Sequence, residues 1–198
     1  MGTIVQCKTN TRGSTLRIFT YVDNSNVFIE GQKVSAVKKG MSRDIYRASQ
    51  DGICDLNWNI DYGRLHQIVC GDRNEMGAAK LWGSPPPSDS FWEMVSSYKF
   101  QVKTYEKGFD GKEKKVDVAI AHQITKDAYS GAIQKDDEIV LVSGDKDYIP
   151  VVEDLRKEGF KFSVIFWDHA ANELKDAAES FSSLNPHVEY LNYNRSTE

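Results

Sequence analysis

Four consecutive apolar residues, Ile139-Val140-Leu141-Val142, constrain the fold of this chain more than any other feature. Neighbouring residues of a strand point to opposite faces, so an unbroken apolar run belongs to a strand covered on both sides. That is the central strand of a parallel sheet, and it requires helices above and below. The flanking sequence supplies them. Strand patterns lie at 16–22, 78–82, 100–105, 160–166 and 188–191. Helical patterns lie at 61–70, at 88–97 and after 115, where Val116, Ile120 and Ile124 recur every four residues. Two more follow, one opened by Pro150 and closed by Gly159 and one at 172–181. Strand and helix alternate at least four times, which predicts an α/β three-layer sandwich with a mostly parallel central sheet. The 198 residues suit a single domain over 1–198. Residues 31–60, rich in Lys, Arg, Ser and Gly, read as a basic insertion with a short helix near 42–49.

Several function classes fall away. With 40% hydrophobic and 27% charged residues the chain is ordinary globular material, not collagen or coiled coil. No apolar run approaches a membrane span, and the N-terminal residues lack the apolar stretch of a signal peptide, so a cytoplasmic protein without a membrane partner is expected. Cys7, Cys54 and Cys70 are an odd number with no CxxC spacing, and the four histidines are scattered. A bound metal must therefore be held by carboxylates, which favours Mg²⁺ or Mn²⁺.

In an open parallel sheet, ligands bind beyond the carboxyl ends of the strands. Asp23 follows the first strand, the central strand runs into Ser143-Gly144-Asp145-Lys146-Asp147, and Asp117 opens the helix after the third. If the first and central strands are neighbours, about 4.8 Å apart, these carboxylates meet at one edge. Two like charges about 4 Å apart repel by roughly 4 kcal/mol at an effective dielectric near 20. Protonation or a divalent cation must relieve several such pairs, and a cation there suits hydrolysis of a phosphate ester.

The stretch Val22-Asp23-Asn24-Ser25-Asn26 resembles the first acidic motif of the NYN domain family, a branch of the PIN-like nucleases. Lys115-Val116-Asp117-Val118 resembles the second motif, and Val142-Ser143-Gly144-Asp145-Lys146-Asp147-Tyr148 the third, in the family's order over about 15–168. The resemblance implies a Rossmann-like sheet, a divalent-metal site and endoribonuclease activity on RNA, structured RNA such as tRNA included; DNA is compatible with the same residues, and so is a homo-oligomer. It implies Asp23, Asp117, Asp145 and Asp147 as the acidic cluster, supported by Asn26. Many members carry a further acid where this chain has Gln123; Asp127, one helical turn on, is the candidate replacement.

Each signal has an ordinary structural counterpart. Asp23 suits a turn, Asp147 a helix cap and Asp117 a helix N-terminus. Asn24 and Ser143 serve equally well as substrate contacts or as turn and strand-end residues. His122, His169 and the cysteines are read as structural; Trp82 and Trp92 as core; Trp58 as the best candidate for base stacking. The net charge of −4 divides into +4 over 1–135 and −8 over 136–198. Lys33, Lys38, Lys39, Arg43 and Arg47 face only Asp44 within 31–50, and Lys115 precedes Asp117, so both stretches are candidate phosphate contacts. The competing function is an RNA-binding or scaffolding module with a degenerate site. A DxDxT phosphatase motif is absent, since Tyr148 and Ile149 follow Asp147.

Overall fold

Residues Ile139 to Val142 are fully buried, and apolar layers cover both faces of the sheet they sit in. The computed structural model describes residues 16–71, 76–83, 89–105 and 116–193. The elements are β1 (Ile18–Asp23), α1 (Asn24–Lys38), α2 (Ile45–Asp51), α3 (Tyr62–Val69), β2 (Met76–Gly83), α4 (Asp89–Ser97), β3 (Gln101–Thr104), α5 (Val116–Tyr129), β4 (Glu138–Val142), α6 (Ile149–Lys157), β5 (Lys161–Phe166), α7 (Asn172–Ala177) and β6 (Ser180–Ser183). A 3₁₀ turn over Lys146–Tyr148 joins β4 to α6. All six strands are parallel, in the order β3-β2-β1-β4-β5-β6. This is the three-layer α/β arrangement expected, with its order reversing between β1 and β4.

The strand pleat sorts the core. Ile18 and Val22 of β1 face one layer with Trp58, Leu65, Val69 and Trp92, while Phe19 and Tyr21 face the other with Ile120, Ile124, Tyr148 and Val152. Trp82 and Trp92 are core residues, as expected. No helix among the described residues is long and apolar enough to cross a membrane.

Two segments depart from the sequence expectation. Residues 31–38, expected in an insertion, are the second half of α1, one continuous helix from the end of β1. Its buried face carries polar groups with internal partners. Gln32 donates to Trp58 O at 3.3 Å, and Ser35 donates to Asp55 Oδ2 at 2.6 Å, so hydrophobic periodicity is missing where the helix packs. Near the other end, α7 stops at Ala177 and the last strand is Ser180–Ser183, not 188–191. Serines give that strand no β-branched signature, but the Glu179 N–H donates to Phe162 O at 2.8 Å and the backbone pairs with β5.

Gly31 occupies a helix interior where Ala has the better propensity by about 1 kcal/mol. A Cβ there would meet Trp58 at 2.5 Å and Trp167 at 2.7 Å, two rings packed edge to face. The expected effect of Gly31→Ala is therefore a net destabilisation of about 1–3 kcal/mol in urea unfolding. A more stable variant would show that the tryptophan pair yields freely.

Candidate functional site

The sheet order reverses between β1 and β4, which leaves a crevice beyond their carboxyl ends. Asp23 is the last residue of β1 and caps α1: its Oδ1 accepts from the Asn26 N–H at 3.2 Å, and its Oδ2 accepts from the Tyr148 hydroxyl at 3.3 Å. Asn26 faces across the crevice. Its Oδ1 accepts from Ser143 Oγ at 3.1 Å and from the Gly144 N–H at 3.0 Å. Ser143 Oγ in turn accepts from the Asp145 N–H at 3.4 Å, and Asp145 Oδ1 from the Asp147 N–H at 3.0 Å. Gly144 is required by packing, because a Cβ there would lie 2.2 Å from Phe166. Asn24 is buried, with its Oδ1 accepting from the Tyr62 hydroxyl at 2.9 Å. Asn24 and Ser143 thus have structural partners inside the protein.

Tyr148 reports on the electrostatics. Its side chain is 1% exposed, and burial pushes the phenol far above its ordinary range; the charges of Asp23, Asp117 and Asp145 push it further. The hydroxyl therefore keeps its proton and remains a donor. Three of the four predicted carboxylates bear on this single group, from β1, from the first turn of α5 and from the loop after β4. Asp147, next along the 3₁₀ turn, is exposed. Tyr148 carried no role in the sequence reading, although it follows Asp147 directly; nothing in a sequence reveals that a tyrosine is buried under carboxylates.

These are all oxygen donors, which suits a hard cation that retains most of its waters. Among the described residues no group of three or more His, Cys, Asp or Glu side chains is drawn together closely enough to hold a metal.

Asp127, the candidate replacement for an acid at Gln123, is bonded to Gln123 itself. It lies ten residues after Asp117, about 15 Å along the axis of α5. Its carboxylate is engaged: Oδ2 accepts from Tyr21 OH at 2.7 Å and from Lys80 Nζ at 2.5 Å, and Oδ1 from Gln123 Nε2 at 2.9 Å. Burial raises its pKa, but Lys80, Tyr21 and Gln123 outweigh burial and hold it below the usual carboxylate range.

The basic residues of 31–50 are not gathered at this edge. Lys38 sits about 21 Å along α1 from Asn24. All five are paired: Lys33 with Glu30, Lys38 with Glu189, Lys39 with Asp55, Arg43 with Asp44 and Arg47 with Asp51, at 2.6–3.1 Å. Lys115 lies outside the described residues. Trp58 cannot stack a base from the surface, for it is 1% exposed and donates Nε1 to Val188 O at 2.8 Å. His169 pairs with Glu30 at 2.8 Å, and burial pushes the Cys70 thiol up to about 12, leaving it inert at neutral pH.

A family model described as the NYN domain matches residues 17–185. Among solved structures, the crystal structure of a protein of unknown function from Vibrio parahaemolyticus RIMD 2210633 resembles this chain at a TM-score of 0.62 and 20% identity, covering 88% of this chain and 96% of that one. That likeness concerns the fold. No curated protein matches the sequence.

Two outcomes follow from this geometry. Asn26→Ala leaves the buried Ser143 hydroxyl and the Gly144 N–H without their acceptor, and a loss of about 1–3 kcal/mol is expected in chemical denaturation. Asp127 has a folded pKa below its unfolded one, so its stabilisation is complete above the unfolded value and disappears as pH falls through the folded value. Asp127→Asn is therefore expected to cost roughly 2 kcal/mol at pH 7, less than a fully buried pair loses, and to flatten the acid limb of stability below about pH 4. An unchanged acid limb in thermal scans across that range would remove Asp127 from this role.

Proposed function

Since the chain belongs to the NYN domain family of the PIN-like nuclease superfamily, we propose that it is a divalent-metal-dependent endoribonuclease that hydrolyses RNA phosphodiester bonds, with structured RNA such as tRNA as the candidate substrate. The observation that carries this reading is the placement of Asp23 at the end of β1 and Asp145 after β4, on either side of the crevice between those strands, with the Tyr148 hydroxyl donating to Asp23 and the charges of Asp117 and Asp145 also acting on it. A bound Mg²⁺ or Mn²⁺ would supply Lewis-acid chemistry there, neutralising phosphate charge and activating water. Asp23, Asp117, Asp145 and the exposed Asp147 are the oxygen donors that would hold it. The protein's own contribution is positioning. Asn26 fixes the loop that presents Asp145, and the Asn26 N–H with the Tyr148 hydroxyl orients the Asp23 carboxylate. Because Tyr148 stays protonated, it adds a donor to the site and no further negative charge.

A second reading, an RNA-binding or scaffolding module, draws support from Gln123 standing at the place of an acid and from the absence of a three-ligand group among the described residues. The two readings separate in one assay. With Mn²⁺ and labelled RNA, the nuclease reading expects cleavage that EDTA abolishes and that Asp145→Asn lowers by about 100-fold or more. Cleavage that persists in Asp145→Asn would sink the metal assignment. RNA binding without metal-dependent cleavage would favour the module. A DNA oligonucleotide of the same sequence in parallel tests whether the 2′-hydroxyl matters.

A further inference from the structure

Gln123 does not leave a gap where an acid is missing. Its amide bridges two charged side chains: Nε2 donates to Asp127 Oδ1 at 2.9 Å, and Oε1 accepts from Lys103 Nζ at 2.6 Å. Lys103 is held a second time, with its ammonium 5.4 Å above the centre of the Trp82 ring. The sheet register places this ammonium. Asp23 pairs with Trp82 across β1 and β2, and Trp82 pairs with Lys103 across β2 and β3. Side chains in one register row of a parallel sheet share a face. Lys103 therefore stands in the same row as Asp23 and on the same face, two strand spacings or about 10 Å away. Row by row, the carboxylate edge continues across a flat indole to a fixed cation at the edge strand.

Among the described residues, positive charge is in excess around Asp127: Lys80 pairs with it, Lys80 and Lys126 both act on Lys103, and the Gln123 amide carries no charge. Burial, then the positive charges of Lys80 and Lys126, hold the Lys103 pKa below its usual range in spite of Asp127. An ammonium has three donors, and Gln123 takes one of those of Lys103.

The geometry points to Lys103, held by Gln123 and Trp82 and accompanied by the exposed Lys126, as a subsite for a backbone phosphate of single-stranded RNA flanking the carboxylate edge. In this arrangement the neutral amide of Gln123 positions the lysine without neutralising it, so a carboxylate at that place would cancel the subsite. This inference rests on the reading of the protein as one that acts on RNA.

The test is fluorescence anisotropy of a fluorescein-labelled single-stranded oligoribonucleotide, titrated in EDTA across a salt series. Lys103→Ala is expected to weaken binding roughly fivefold at low salt and to reduce the slope of log K against log salt by about 0.7, the loss of one phosphate contact. Lys103→Arg retains binding. Gln123→Glu weakens binding in the same sense, because the new carboxylate pairs with Lys103. Lys126→Ala, at an exposed helix position, gives a smaller loss of the same sign without disturbing packing, and thermal melts check that each variant is folded. Wild-type affinity and slope in Lys103→Ala, or tighter binding by Gln123→Glu, overturns the subsite. If cleavage by the wild-type protein is at the same time metal-dependent and lost in Asp145→Asn, the nuclease reading stands without it. A wild-type protein that neither binds nor cleaves RNA overturns both.

Discussion

The amide oxygen of Asn26 accepts two hydrogen bonds from the far side of the sheet's reversal point, one from Ser143 Oγ and one from the Gly144 N–H. It sits three residues beyond Asp23, within the first turn of a helix that Asp23 itself caps. One side chain thus ties the end of β1 to the loop after β4, and the carboxylates of both strands inherit their relative position from it. Remove that acceptor and the segment after β4 keeps the Gly144 carbonyl, which accepts from the Ala171 N–H at 3.1 Å, and the buried Tyr148, whose hydroxyl donates to Asp23. These are capping and loop-closing bonds that any α/β sheet needs, and here they set the positions of Asp23 and Asp145 at the carboxyl ends of β1 and β4.

Why these carboxylates tolerate one another follows from their partners. Asp23 accepts from a backbone N–H and a phenol, and Asp145 from a backbone N–H. Asp117 lies in the first turn of α5, where the helix dipole favours negative charge. Asp127 shows the opposite solution on the same helix, with a lysine directly on it. Asp117 in the first turn of α5 thus rests on the helix dipole, whereas Asp127 near its last turn is compensated by Lys80.

Much of this was legible in the sequence. The run Ile139–Val142 signals a doubly covered strand because burial on both faces leaves no room for polar residues. Asp23, Asp117 and Asp145 were legible because each ends or begins an element at the carboxyl edge. What escaped depends on contacts between distant segments. Helix α1 hides its packing face behind Gln32 and Ser35, whose partners Trp58 and Asp55 lie 20 or more residues on. The strand Ser180–Ser183 forms through its backbone and so leaves no side-chain signature. The lysines and arginines of 31–50 read as a phosphate-binding stretch because the carboxylates Asp51, Asp55 and Glu189 that pair with three of them lie outside it in sequence.

The reversal between β1 and β4 also sets when the site can exist. Ile18 pairs with Glu138, and the Ser143–Asn26 bond spans 117 residues of chain. Strands β2 and β3, like β4, β5 and β6, meet through short connections, whereas the β1–β4 seam closes one of the longest loops in the molecule and bears the corresponding entropy cost. A half-assembled chain, with either group of strands formed alone, carries an aspartate at a strand end but no crevice. The crevice at this edge therefore exists only once the two halves of the sheet have docked.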